Sequence, residues 1–117
     1  MNIEGFEAGA VTIREIAGQS ARNATQDDVY RAGWLFTDAA RSLTQLVEDL
    51  RDEVSTFPGR FVLRDDEGAD PAARIATAVA ELDALVRAFA TAQQHAGLFH
   101  SAFSHIAVEV DPNAEQQ

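Results

Sequence analysis

The sequence predicts an all-α fold built on one long antiparallel helical hairpin, and three observations support this prediction. Apolar residues recur at alternating spacings of three and four through residues 25–57 and again through residues 71–107, which is the heptad spacing of packed helices. Signals for the end of one helix and the start of the next lie between these stretches. The composition, 46% hydrophobic and 24% charged, is typical of a folded globular chain.

A short amphipathic helix is predicted over residues 6–22. Phe6, Ala10, Ile13 and Ala17 follow one another at spacings of four, three and four. Glycines in and beside this stretch lower its helix propensity. At about 1.5 Å per residue, this helix would be about half as long as either long helix.

The first long helix is predicted over residues 25–57. Thr25 is a good N-cap, and Asp27 and Asp28 in the first turn favour the positive end of the helix dipole. The apolar stripe of this helix, which Leu46 widens, consists of Val29, Gly33, Phe36, Ala40, Leu43, Val47, Leu50, Val54 and Phe57.

An acidic connection, residues 58–70, is predicted between the two long helices. Pro58 and Gly59 end the first long helix. The apolar residues 61–63 suit a strand-like staple over the end of the bundle. The remainder of the connection is rich in aspartate and glutamate.

The second long helix is predicted over residues 71–107. Asp70 is a suitable N-cap, and Pro71 fits the first helical position, where its missing amide costs nothing. Its apolar stripe, widened by Val79 and Val86, consists of Ile75, Ala78, Leu82, Leu85, Phe89, Ala92, Ala96, Phe99, Phe103 and Ile106. Residues 108–117 are expected to form a flexible tail, and residues 1–117 a single helical domain.

The two apolar stripes are wider than the strip along which two helices touch, so the hairpin needs a further surface to cover it. We expect two hairpins to pair into a four-helix bundle as a symmetric homodimer, with a monomeric three-helix bundle as the alternative. The leading functional prediction is therefore a non-enzymatic protein–protein association module. The expected interface residues are Phe36, Leu43, Leu46, Val47, Leu50, Val79, Leu82, Val86, Phe89, Phe99 and Phe103.

Charge is distributed unevenly along the chain. Residues 88–107 contain no Asp, Glu, Lys or Arg, which is typical of a subunit or partner interface, although a neutral surface of small and polar residues is the alternative. The formal net charge of −10 disfavours direct binding to nucleic acid or anionic membranes. A basic protein is an easier partner, so an acidic inhibitor or nucleic-acid mimic is an alternative function.

The sequence predicts no cofactor and no metal site, and it contains no recognisable catalytic motif. His95, His100 and His105 are spaced by five, which turns a helix by about 140° per step, so they do not converge on one ion. The absence of cysteine excludes thiolate chemistry. A metal-dependent hydrolase that uses Asp49 and Asp52 is the enzymatic alternative.

The open end of the hairpin, where the first long helix begins and the second ends, is a second candidate site. Trp34, Leu35 and Leu98 lie off both stripes and need another cover. We expect the N-terminal segment to supply it, with a second subunit or a ligand as alternatives. The residues of this partner or ligand end are Tyr30, Trp34, Leu35, Leu98, His100 and His105.

An acidic, cysteine-free hairpin without a secretory signal is similar in architecture to the small helical proteins exported by type VII secretion. Their hallmark is Trp-x-Gly in the turn, whereas this turn reads Phe57-Pro58-Gly59-Arg60 and no Tyr-x-x-x-Asp/Glu motif follows the second long helix. We therefore expect a cytoplasmic protein, with leaderless export as the alternative. All nine basic residues are arginine, which is typical of GC-rich genomes such as those of actinobacteria and their phages.

Overall fold

The computed structural model describes residues 1–109, which form four helices. These are α1 (Ile3–Ala17), α2 (Gln26–Ser55), the single turn α3 (Phe57–Arg60) and α4 (Pro71–Phe103). The predicted all-α fold and the packing of two long helices, α2 and α4, are confirmed. Most of the predicted tail, residues 110–117, lies outside the described residues.

Hydrogen bonds show that α2 and α4 run antiparallel. At the open end, Nε2 of Gln26 donates to the carbonyl oxygen of Ile106 at 2.7 Å. Nearer the turn, Nε of Arg51 on α2 donates to Oδ1 of Asp83 on α4 at 3.0 Å. The start of α2 therefore lies beside the end of α4.

The capping residues that mark the long helices in the sequence cap them in the structure. Thr25 and Asp28 form a reciprocal capping box, in which each side chain accepts a hydrogen bond from the other residue's backbone amide. Asp70 accepts from the amide of Ala72, and Pro71 occupies the first turn of α4. These contacts satisfy amides that the helix itself leaves without acceptors.

The connection between α2 and α4 is organised mainly by hydrogen bonds to one carboxylate. Asp65 accepts hydrogen bonds from the amides of Glu67 and Ala69 at 3.0 and 2.8 Å, and from Nε of Arg74 at 2.9 Å. No strand occurs within residues 1–109, and the side chain of Val62 is fully exposed. The predicted strand-like conformation at residues 61–63 is therefore wrong. Leu63 is nevertheless half-buried, and the ring of Phe61 packs against that of Phe57, with ring centres 5.1 Å apart.

The line along which α2 and α4 touch, here called the contact line, follows part of the predicted stripes. On α2, Gly33, Ala40 and Val47 are buried. Beside them, Thr37, Thr44 and Arg51 on α2 and Val86, Gln93 and His100 on α4 are half-buried, and so are the stripe residues Leu43, Leu82, Phe89 and Phe103. Other stripe residues, Phe36 and Leu50 on α2 and Leu85 and Ala92 on α4, are exposed. Leu43 is half-buried, and Phe99 is exposed although its ring packs against Gly33.

Polar side chains fit at the contact line because they find hydrogen-bond partners there. The hydroxyl of Thr37 donates to the carbonyl oxygen of Gly33 at 3.0 Å, and that of Thr44 donates to Ala40 at 2.8 Å. A threonine bonded to its own helix occupies little width and leaves no unsatisfied group. The two helices therefore approach over small residues, and the larger apolar side chains remain beside the contact.

Helix α1 lies beside α2 and does not pack into the hairpin. Met1, Asn2 and Phe6 line a groove of about 720 Å³ together with residues of α2 that include Leu46 and Leu50. No residue of α1 is buried. The expectation that the N-terminal segment covers Trp34, Leu35 and Leu98 is therefore wrong, and all three remain more than half exposed.

The hairpin buries very little of its own apolar surface. Within residues 1–109, the buried hydrophobic side chains are Ala40 and Val47, and none is completely enclosed. The chain exposes 9249 Å², whereas a compact protein of this mass exposes about 6,200 Å². Its radius of gyration is 21.1 Å, against about 13 Å for a compact chain of this length. The fold is thus an extended helical hairpin with almost no buried hydrophobic core.

Candidate interaction surface

Two rows of apolar residues flank the contact line, and together they form a surface that we call the apolar face. It consists of Phe36, Leu43 and Leu50 on α2 and of Leu85, Ala92 and Phe99 on α4. Within each row the residues are seven apart, so they follow one line along the helix. Phe36 is 62% exposed, and Leu50, Leu85 and Phe99 are about 40% exposed. Leu43 is half-buried and Ala92 is small, so the hairpin leaves large apolar side chains uncovered mainly towards its two ends.

Both rows lie on the same side of the hairpin. Each residue of the apolar face precedes a residue of the contact line by one position, on α2 and on α4 alike. One residue turns a helix by about 100°. Viewed from one end of the hairpin, successive residues turn clockwise in one helix and anticlockwise in the other, because the helices are antiparallel. A step of one residue back from the contact line therefore leads to the same side of the hairpin on both helices. The two rows consequently form one continuous surface.

The apolar face is organised in three layers. The register of the hairpin is fixed near the open end by Phe99 against Gly33 and near the turn by the pair Arg51 and Asp83. In this register Phe36 lies about one helical turn from the level of Phe99, and the same offset separates Leu43 from Ala92 and Leu50 from Leu85, so each of these pairs forms one staggered layer. Seven residues of helix separate successive layers by about 10 Å. The layer at the open end thus carries two phenylalanines, and the layer nearest the turn carries two leucines.

The opposite side of the hairpin is polar. Arg51 pairs there with Asp83, and this hydrogen bond and the attraction of the Asp83 carboxylate raise the pKa of the Arg51 guanidinium. Nearer the open end, Nδ1 of His100 lies 3.2 Å from the carbonyl oxygen of Tyr30, and the two rings are 4.6 Å apart. The two broad sides of the hairpin therefore differ, and only the apolar face presents a row of large hydrophobic side chains.

Several residues that the sequence assigns to a subunit interface instead belong to the hairpin itself. Val47 is buried between α2 and α4. Half-buried positions in or beside the same contact are Leu46, Val79, Leu82, Val86, Phe89 and Phe103. Phe103 also stacks on Phe99, with ring centres 6.0 Å apart. Conversely, Leu85 and Ala92 belong to the apolar face, although they are not among the interface residues expected from the sequence.

The residues predicted to form a partner or ligand end do not converge on one site. Tyr30, Trp34 and Leu35 line a shallow groove of about 360 Å³ on α2. Leu98 is two residues from His100, a turn of about 200°, and so lies on the other side of α4. His105 follows α4 and is exposed. The open end therefore offers separate side chains rather than a shared cavity.

The carboxylates at the turn end serve local hydrogen bonds and ion pairs. Asp49 accepts from Nε2 of Gln45 at 2.9 Å. Three hydrogen bonds to Asp65, led by the one from the Ala69 amide, lower the pKa of its carboxyl although burial acts in the opposite direction. Within residues 1–109, His, Asp and Glu side chains form no group of three or more arranged to hold a metal ion.

Comparisons with protein-family models, curated proteins and solved structures find no match to this chain. In the described part of the chain, no helix combines the length and the apolar character needed to cross a membrane.

Proposed function

We propose that this protein is a non-enzymatic helical association module that pairs with a second copy of itself through the apolar face. The observation that supports the proposal is the row of exposed large side chains on one side of a hairpin that has almost no core. Removing apolar surface from water is worth about 25 cal/mol per Å². A second hairpin laid on this face would form a four-helix bundle and supply the missing core.

The size of the hairpin agrees with this proposal. α2 contains 30 residues, which gives a length of about 45 Å. Two helices side by side have a width of about 20 Å. The product is about 900 Å² per copy, close to the 800 Å² that each partner contributes to a standard stable interface. Helix α1 borders this surface near Leu50 and leaves Phe36, Leu85 and Phe99 uncovered.

Light scattering coupled to size exclusion, over a range of protein concentrations, tests the proposal. We expect twice the chain mass of 12.7 kDa. The variant Phe36→Glu places a charge on the apolar face, where burial of an unpaired carboxylate is costly. We expect it to raise the dimer dissociation constant by about 100-fold or more, equivalent to about 2.8 kcal/mol.

Trp34→Glu is the matched control, because Trp34 is 58% exposed on the same helix but lies off the apolar face. Far-UV circular dichroism would establish that both variants keep their helices. A wild-type chain that remains monomeric at high concentration would contradict the proposal. So would equal dissociation of the Phe36→Glu and Trp34→Glu variants.

A further inference from the structure

We infer that two copies of this chain pack in antiparallel orientation, so that the acidic turn end of each lies beside the less charged open end of the other. This inference rests on the proposed self-association and adds the relative orientation of the two copies. Two independent observations support it. They are the order of the layers on the apolar face and the distribution of charge along the hairpin.

Two symmetric arrangements pack the apolar faces of identical hairpins against each other with their helices aligned. The two-fold axis must lie in the plane of the interface, because each copy contributes the same surface. An axis along the hairpin places the two turn ends together. An axis across the hairpin, through the central layer of Leu43 and Ala92, places each turn end against the open end of the other copy.

The layers of the apolar face favour the axis across the hairpin. With the axis along the hairpin, the layer of Phe36 and Phe99 packs against the same layer of the second copy, so four phenylalanines come together. The layer of Leu50 and Leu85 likewise packs against its equivalent, and four leucines come together. With the axis across the hairpin, each outer layer contains two phenylalanines and two leucines. Layers of equal volume keep the two hairpins at a constant separation, and large side chains meet smaller ones, as dense packing requires.

The central layer lies near the middle of the hairpin, as a two-fold axis across the hairpin requires. Leu43 is 14 residues from Phe57 at the turn and 17 residues from Gln26 at the open end. These separations correspond to about 21 and 26 Å of helix. A rotation about this layer therefore brings the turn end of one copy to nearly the same height as the open end of the other. Neither end projects far beyond its partner.

Charge favours the same orientation. Residues 48–70 contain eight acidic and three basic side chains, a formal net charge of −5. At the open end, residues 88–107 contain no charged side chain, and Asp27, Asp28 and Arg31 at the start of α2 sum to −1. An axis along the hairpin would bring two negative ends side by side, and an axis across it separates them. The range of this repulsion is about 8 Å at physiological salt and about 30 Å at 10 mM. The preference for the antiparallel arrangement is thus strongest at low salt.

Distances between labels on two copies test the orientation. The chain has no cysteine, so Val62→Cys at the turn end and Ala107→Cys at the open end each create one labelling site. Both positions are exposed and outside the apolar face. Pulsed dipolar spectroscopy at 10 mM salt on spin-labelled Val62→Cys should give about 50 Å between labels, the length of α4. A mixture of the two labelled variants should add a distance less than half as long.

Light scattering on the same samples separates the two ways in which the inference could fail. A dimer with a short distance between the two Val62→Cys labels, and no short distance in the mixture, would overturn the orientation and leave self-association intact. A monomeric mass without any distance between labels would overturn self-association itself. Matching circular dichroism spectra of labelled and unlabelled chains would show that the labels leave the helices unchanged.

Discussion

The phenyl ring of Phe99 on α4 lies against the backbone of Gly33 on α2, 3.1 Å from the position that a Cβ atom on Gly33 would occupy. The Cβ of His100 lies 3.2 Å from the same position. Glycine thus allows the two helices to approach closely at the open end. This contact also holds Phe99 at the edge of the apolar face, one helical turn from Phe36.

The first prediction concerns the glycines of the long helices. Gly97→Ala should stabilise the protein by about 0.5–1 kcal/mol, because glycine is a poor helix former and no atom beyond the local helix lies within 4 Å of the new methyl group. Gly33→Ala gains the same helix propensity but crowds Phe99 and His100. We therefore expect it to be neutral or destabilising. Chemical denaturation of both variants measures the difference, and equal stabilisation would show that the close approach at Gly33 is unimportant.

A second prediction concerns the few buried side chains. Val47→Ala removes two methyl groups from the contact between α2 and α4, where Val47 is 7% exposed. We expect a loss of about 2 kcal/mol in the free energy of unfolding. Ile13→Ala on α1 is the control, since Ile13 is 65% exposed and exposed substitutions usually change stability by less than about 0.5 kcal/mol. Similar losses for the two variants in urea titrations would mean that α1 packs more closely than its exposure indicates.

The third prediction concerns the ion pair between Arg51 and Asp83. Its 3.0 Å hydrogen bond joins α2 to α4 on the polar side of the hairpin, and both side chains remain partly exposed to solvent. A double-mutant cycle with Arg51→Met and Asp83→Asn should give a favourable coupling that weakens as salt is added, because salt screens exposed charges. If no coupling is measured at low salt, this ion pair does not help to fix the register between α2 and α4.

Much of the fold is predictable from local signals. The Thr25 cap, the Asp70-Pro71 start and the apolar spacing of the two long helices indicate both helices and their antiparallel pairing. These signals depend on residues close together in the chain, so they can be recognised without tertiary information. The dimensions of the hairpin follow from the helix lengths.

The exact contact line is not predictable in the same way. Positions 36 and 37 are both compatible with a heptad stripe, and hydrophobicity favours Phe36, whereas close approach favours Thr37. Thr37 is nearer the contact because its hydroxyl bonds to Gly33 and because Gly33 and Ala40 allow the helices to come together. The recurrence of Thr37, Thr44 and Arg51 at intervals of seven is the signal that sequence reasoning missed. That shift of one residue places Phe36 on the outside and creates the apolar face.

A fourth prediction separates Trp34 from the apolar face. Trp34 is exposed, so its fluorescence in the native protein should resemble that of an indole in water, and unfolding should shift the emission maximum little. Trp34→Ala should change stability by less than about 0.5 kcal/mol and leave self-association unchanged. Loss of the dimer in this variant would indicate that the open end of α2 also takes part in the interface.

The fifth prediction concerns acidification and the turn between α2 and α4. The amides of Ala69 and Glu67, together with Arg74, hold the pKa of the Asp65 carboxyl below its ordinary value. A carboxyl with a lowered pKa in the folded state adds stability above its unfolded pKa, and this stability disappears as the pH falls through the folded pKa. The wild-type protein should therefore lose stability in the acidic range more steeply than Asp65→Asn, which should already be less stable at pH 7.

Asp66→Asn is the control for this prediction, because it removes an equal charge from the exposed neighbouring residue. Thermal unfolding followed by circular dichroism from pH 7 to pH 3 compares the three chains. The Asp66→Asn variant should retain the steep dependence on pH that Asp65→Asn loses. If both variants instead follow the wild-type curve, the bonds to Asp65 do not hold the turn, and other carboxylates cause the loss of stability in acid. The acidic end would then act through its total charge, which is the property that we propose to orient two copies in an antiparallel dimer.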